Sequence, residues 1–293
     1  MPENLLAPDF LHKLERLELV SRKIFAGRMK GERRSKRRGA SVEFADHRSY
    51  VTGDDLRFID WNILIRLDRL FVKLFEEEED LHFSLLLDTS ASMGFGEPTK
   101  LQFARRLAAA LAFVGLVRQD RVAVAPFADG LGDGLPPSRG RHSYWRVHDF
   151  LAKLEPNAAG DFERACKAFA MRPSTRGVVV VLSDFLDKAG FDRGLKYLVA
   201  RNLDIFAVQI LAAEELDPEL AGDLRLTDVE DGDVAEITVS APLLARYKAN
   251  VQSYLATVKD YCTKRGMNYL FATNQTPVET LILSYFRQRG LLK

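Results

Sequence analysis

The sequence predicts an α/β protein built on an open, mostly parallel sheet with helices on both faces. Two observations carry this. After His82, apolar strands alternate with helical patterns, the order that buries a parallel sheet between helix layers. One of those strands, "GVVVVLSDF", is apolar without interruption and rich in β-branched residues, as a strand buried on both faces should be. The 293 residues are 47% hydrophobic and 28% charged, with a net charge of +1, which is an ordinary globular balance. That balance gives no global signal for nucleic acid or membrane, so any such role rests on local clusters.

The segment 1–80 is expected to form an N-terminal region of helix, basic loop and strand, and 81–293 the α/β domain. Leu11, Leu14, Leu17 and Val20 fall on one face of an opening helix. From Arg22 to Ala40 the chain is basic and offers little to bury, which reads as a loop. "TGDD" marks a turn, and "RLFVKLFE" alternates as a strand does. Then come "HFSLLLD" (strand), "KLQFARRLAAALAFVGLV" (helix), "RVAVAPFAD" (strand), "SYWRVHDFLAKL" and "DFERACKAFAMR" (helices), "GVVVVLSDF" (strand), "FDRGLKYLVARN" (helix) and "LDIFAVQIL" (strand). "LRLTDVEDGDVAEITVS" predicts a hairpin turning at Asp-Gly. A long helix from about Pro242 to Arg265, a strand "NYLFAT" and a last helix "PVETLILSYFRQR" follow. The hairpin and these helices form a C-terminal addition to the sheet.

Cys166 and Cys262 lie far apart and make neither a disulfide framework nor a zinc spacing. The first twenty residues lack the unbroken apolar core of a signal peptide, and no stretch approaches the roughly 20 apolar residues of a membrane helix. A cytoplasmic location is expected. The five histidines form no ligand pattern and are given no chemistry.

"LLLDTSASM" ends a buried strand on Asp88 and follows it with Ser90 and Ser92. Asp184 ends a second strand. Ligands of open parallel sheets bind beyond the strands' carboxyl ends, so these four side chains converge if the two strands are neighbours. Oxygen donors without histidine or thiolate suit Mg²⁺, Mn²⁺ or Ca²⁺. The competing reading is that Asp88 and the serines cap the next helix, and Asp184 another. "GDDLRFIDW" reads as a turn with a carboxylate–arginine network of Asp54, Asp55, Arg57 and Asp60 reaching Arg66, anchored by a packed Trp61; the competing reading is a partner-docking surface or a support for the loop after Asp88. The basic run Arg33, Arg34, Lys36, Arg37 and Arg38 is a solvated loop, or a phosphate-binding one. The acidic run Glu76 to Asp80 is a solvated strand end or its counterpart.

"DTSAS" resembles the Asp-x-Ser-x-Ser motif of von Willebrand factor A domains, whose metal-ion-dependent adhesion site binds Mg²⁺. The longer block "VEFADHRSYVTGDDLRFIDWNILIRLDRLFVKLFEEEEDLHFSLLLDTSASM" resembles the signature of the DUF58 family, and the likeness runs from about Ser41 to Phe185. It implies a von Willebrand A-like, Rossmann-type sheet and a metal site of Asp88, Ser90, Ser92 and Asp184. Such sites also carry a threonine in a third loop. Here "AAGDF" puts Gly160 in its place, which removes one hydroxyl ligand. The resemblance further implies a non-catalytic, chaperone-like adaptor that works with a MoxR-type AAA+ ATPase in maturing protein complexes. The alternatives are a metal-dependent hydrolase of phosphorylated substrates and an anion-binding module using the basic loop. No P-loop, Gly-x-Ser-x-Gly elbow or dinucleotide fingerprint supports catalysis.

Overall fold

A computed structural model of the chain describes residues 5–17, 19, 42–77, 81–157, 159–172, 177–201, 203–230, 232–288 and 290–292. The chain divides into two compact units, Met1–Lys30 with Leu81–Lys293, and Gly31–Asp80.

The larger unit is organised by six strands. They are β3 (His82–Asp88), β4 (Arg121–Phe127), β5 (Leu135–Ser138), β6 (Gly177–Ser183), β7 (Asp204–Leu211) and β10 (Asn268–Thr273), in the spatial order β10-β7-β6-β3-β4-β5. All neighbouring pairs are parallel except β4 with β5. β5 carries Pro136 and Pro137, which cannot donate to a ladder and are tolerated because this strand lies at the sheet's edge.

Alternate residues of the strands feed two cores, because side chains of a strand point to opposite faces. Phe83, Leu85, Leu87, Val178, Val180 and Leu182 join one core, with Leu101, Leu107 and Leu111 of α3 (Lys100–Val117) and Val147 and Leu151 of α4 (Tyr144–Ala152). The N-terminal α1 (Pro8–Leu14) adds Phe10 and Leu14 to this side. Leu86, Val179, Val181, Ile205 and Ala207 join the other core. There they meet α5 (Phe162–Met171), α6 (Asp192–Ala200) and α8 (Ala241–Lys264) through Cys166, Leu195, Leu198, Val258 and Cys262. Both cysteines are buried free thiols, and burial holds each well above the usual thiol range.

Between β7 and α8 lie the short α7 (Ala213–Leu216) and the hairpin β8 (Gly222–Thr227) with β9 (Val234–Val239). Most residues of both hairpin strands are exposed. The last helix begins as α9 (Val278–Thr280) and continues with π-type bonding over Leu281–Phe286.

The smaller unit pairs β1 (Val42–Ser49) with β2 (Phe71–Glu77) antiparallel and sets α2 (Trp61–Leu67) between them in sequence. Asp60 caps α2. Its Oδ1 accepts from the Asn62 and Ile63 N–H groups at 2.9 and 3.2 Å, and its Oδ2 meets His47 Nε2 at 2.9 Å and Lys73 Nζ at 3.3 Å. The His47 bond, with the help of Lys73 and the two N–H groups, holds the Asp60 carboxyl down at about 2. Asp60→Ala is therefore expected to abolish amide-exchange protection across residues 61–67 while leaving β3 and β6 protected. Unchanged exchange in α2 would contradict this role.

The network in this unit differs from the one expected. Asp54 takes a bidentate bond from Arg48 at 2.7 Å on each arm, Asp55 pairs with Arg57 at 2.6 Å, and Asp60 pairs with His47 and Lys73 rather than Arg66. Trp61 does not anchor packing, because 59% of it is exposed. It stands at the first position of α2, one residue past the cap. The basic run from Arg33 to Arg38 lies outside the described residues, as do Val20 and Glu78 to Asp80.

Candidate functional site

β3 and β6 are direct neighbours in register, with Leu87 opposite Leu182. Asp88 and Asp184 therefore leave the sheet side by side at its carboxyl rim. The two loops bring the four expected side chains together, and all but Ser92 are buried. Asp88 Oδ1 accepts from the Ser90 N–H at 2.9 Å and the Ser90 hydroxyl at 2.7 Å. Ser90 Oγ and Ser92 Oγ are 3.1 Å apart. The Ser92 hydroxyl donates to Asp184 Oδ2 at 2.9 Å.

These groups are not occupied in capping. The helix that follows, α3, is capped by Thr99 in a reciprocal box with Gln102. The single 3₁₀ turn Ala91–Gly94 receives no side-chain cap. Asp184 Oδ1 does bond the Leu186 N–H at 3.0 Å, but α6 begins only at Asp192, so this is a local turn and not a helix cap. Asp161 is the true cap of α5, accepting from the Arg164 N–H at 2.8 Å.

Four groups that sequence reasoning missed complete the site. The Ser183 hydroxyl donates to Asp88 Oδ2 at 2.5 Å. Lys100, fully buried at the start of α3, donates to Asp184 Oδ2 and to Glu215 Oε1, both at 2.7 Å. Glu215 is held in turn by the Ala212 N–H at 2.7 Å. Glu230, in the β8–β9 turn, brings its carboxylate to the same rim, where a Cβ on Gly160 would stand 3.8 Å from Glu230 Oε1. Behind the site, Gln209 donates to the Asp184 carbonyl at 3.0 Å and is itself fixed by the Tyr269 hydroxyl. Tyr254 of α8 bonds the Phe185 carbonyl, where the chain turns at a left-handed φ of 57°.

Burial, and then the charge of Asp184, push the Asp88 carboxyl up to about 7. For Lys100 burial acts to lower the pKa, but the charges of Asp184 and Glu215 outweigh it and hold the ammonium above its usual range. Glu230 is raised, chiefly by burial.

The proton count of this cluster bears on a cation. A serine hydroxyl has one proton and can also accept. Ser90 gives its proton to Asp88. Ser92 gives its one proton to Asp184, which leaves none for the 3.1 Å contact between the two serine oxygens. Lone pairs thus face one another in a nearly buried place, an arrangement a hard cation relieves. The spacing agrees, since neighbouring ligands about 2.1 Å from an octahedral ion lie roughly 3.0 Å apart, close to the observed 3.1 and 2.9 Å. Among the described residues no group of three or more His, Cys, Asp or Glu side chains is arranged for a metal, so any ion here depends on the serine hydroxyls. Gly160 lies beside Ser90. A Cβ on it would stand 3.5 Å from Ser90 Cβ and 3.9 Å from Ser90 Oγ.

The family described as "Protein of unknown function DUF58" matches residues 46–256. This chain belongs to DUF58. The DUF58 match runs from within β1 to within α8 and so includes both strand-end aspartates and the hairpin. Over 242 residues the chain is 28% identical to uncharacterized proteins of Mycobacterium bovis (Mb1516) and Mycobacterium tuberculosis (Rv1480), covering 80% of this chain and 76% of each relative. Among solved structures, it is similar to the conserved hypothetical protein BatB from Bacteroides thetaiotaomicron at 16% identity and a TM-score of 0.45, over 71% of this chain and 98% of that one. An aerotolerance-related membrane protein from Bacteroides fragilis matches at the same identity and TM-score, over 71% and 99%. Among the described residues of this DUF58 chain, no helix is long and apolar enough to cross a membrane.

Proposed function

We propose that this chain is a non-catalytic protein-binding adaptor. Its recognition element is a divalent-cation site of the von Willebrand A type, formed by Asp88, Ser90, Ser92 and Asp184, and Mg²⁺ is the expected ion, with Mn²⁺ or Ca²⁺ as substitutes. The observation that supports this most is the gathering of carboxylate and hydroxyl oxygens at one strand rim, where both serine protons go to the aspartates and the serine oxygens face each other at 3.1 Å. Lys100 takes up much of the charge of Asp184 and Glu215. An ion held through neutral hydroxyls keeps positive charge to offer a partner's carboxylate. A cleft of about 430 Å³ at the ends of β3 and β4, lined by Thr89, Phe127, Lys153 and Asn157, gives room for neighbouring side chains of that partner. By family resemblance the partner is a MoxR-type AAA+ ATPase or its client, and the setting is the maturation of protein complexes.

Hydrolysis of a phosphorylated substrate is the weaker reading. Asp88, whose carboxyl burial pushes up to about 7, is only 5% exposed, and both its oxygens are occupied by Ser90 and Ser183. It lacks the access a general base needs.

Two experiments test the proposal. Saturating Mg²⁺ should raise the unfolding temperature by about 5 °C, since a ligand at 100 times its Kd adds about 2.7 kcal/mol, and Asp88→Ala should erase the response. No shift in the wild type would remove the ion. Cross-linked affinity capture with Mg²⁺ should recover an AAA+ ATPase that is lost with EDTA or Asp88→Ala. Capture indifferent to both would remove the adaptor role from this rim.

A further inference from the structure

The two carboxylates on Lys100 differ in what else holds them. Asp184 belongs to the rim. Its Oδ2 takes both the Lys100 ammonium at 2.7 Å and the Ser92 hydroxyl at 2.9 Å, so the ammonium shares the oxygen that orients a proposed ligand. Its Oδ1 is turned to the Leu186 N–H at 3.0 Å. Glu215 belongs to α7. Its Oε2 accepts from the Ala212 N–H at 2.7 Å, its carbonyl accepts from the Tyr247 hydroxyl of α8 at 2.7 Å, and its Oε1 takes the second bond of the ammonium at 2.7 Å. None of these contacts reaches Asp88, Ser90 or Ser92.

The Lys100 side chain is fully buried and that of Asp184 nearly so. Charges a few ångströms apart at such depth are screened far less than in water. A fixed ammonium on Asp184 Oδ2 therefore opposes a second cation held through Ser92 on the same oxygen. Glu215 is anchored independently of the rim, so it takes a constant share of the ammonium and limits that opposition.

We infer that Lys100 and Glu215 set the affinity of the cation site without being ligands of the ion: the ammonium holds the affinity down by occupying Asp184 Oδ2, and Glu215 raises it by drawing the ammonium off that oxygen. The inference rests on the cation site proposed above. It requires opposite signs. Losing the ammonium strengthens the site and losing the charge of Glu215 weakens it, whereas simple damage to the rim weakens it in both cases.

Calorimetric titration of the full chain with MnCl₂ tests this on the wild type, Asp88→Ala, Glu215→Gln, Lys100→Met and the double variant Lys100→Met/Glu215→Gln. The wild type is expected to bind and Asp88→Ala to lose binding. Glu215→Gln should bind at least tenfold more weakly, and Lys100→Met at least tenfold more tightly. Because Glu215 acts through the ammonium, adding Glu215→Gln to Lys100→Met should change the affinity less than threefold, the non-additivity of coupled groups. Glu215→Gln binding as tightly as the wild type overturns the inference and leaves the cation site standing, as does a folded Lys100→Met that binds no more tightly. A full tenfold loss from Glu215→Gln in the Lys100→Met background also overturns it, since Glu215 would then act without the ammonium. No Mn²⁺ binding to the wild type takes down both. Circular dichroism without metal checks that each variant folds. If Lys100→Met does not, Glu215→Gln decides alone, because its side chain is 20% exposed and the amide keeps its shape.

Discussion

Lys100→Met is expected to destabilise the metal-free protein by about 3–5 kcal/mol, the usual result of leaving a buried charge without its partner. The Lys100 side chain is wholly buried, Asp184 is almost so, and Glu215 is partly so. With the ammonium gone, two carboxylates drawn to one point by Lys100 face each other with only Ser92 and backbone N–H groups to share. Methionine fills much of the volume, so the loss reads charge and not a cavity. Mg²⁺ should then stabilise Lys100→Met more than it stabilises the wild type, because a cation at Asp184 restores part of what the ammonium supplied. Urea unfolding with and without Mg²⁺ measures both effects. A Lys100→Met variant as stable as the wild type would show that the lysine is incidental to the rim.

Asp88→Asn carries the second large effect, and its sign depends on pH. In the folded chain the Asp88 carboxyl is held up at about 7 by burial and by Asp184, against an ordinary value of 3.8. Between those values the unfolded chain binds fewer protons than the folded one, so stability falls as pH rises. The contribution of this group is fully present below about pH 4 and is lost as the pH climbs through about 7. Asp88→Asn removes the ionisation and should flatten that slope. In EDTA at pH 8 it should be more stable than the wild type by on the order of 2 kcal/mol. Adding Mg²⁺ should reverse the order, since the asparagine gives up the ion's anionic ligand. Parallel slopes for the two proteins from pH 4 to 8 would contradict the buried-acid description.

The parts of the fold that read clearly in the sequence are those that burial dictates. β3, β4, β6 and β7 are apolar runs because they are covered on both sides, and α3 is apolar because both its neighbours are core. β1 escaped notice because its Asp-His-Arg-Ser half is polar, and α2 because it exposes Trp61, Ile65 and Leu67. β5 escaped because two prolines argue against a strand unless its edge position is known. The site divides in the same way. Asp88, Ser90, Ser92 and Asp184 follow strand ends, which are visible in one dimension. Ser183 was adjacent to a chosen residue and could have been named, since the strand's last side chain faces the same rim. Lys100, Glu215 and Glu230 could not. A lysine at a helix start reads as surface, and only the order β6-β3 carries Lys100 to Asp184, 84 residues away. Glu230 looked like one more acid in a polar turn.

The most direct measurement is an anomalous difference map from a crystal of the full chain grown with Mn²⁺. The expected result is a single strong peak bonded to the Ser90 and Ser92 hydroxyl oxygens and within reach of Asp88 and Asp184, with the Lys100 ammonium still on Asp184. A map with no peak at this rim under saturating Mn²⁺, the hydroxyls remaining bonded only to the two aspartates, would contradict the cation site and the adaptor reading built on it.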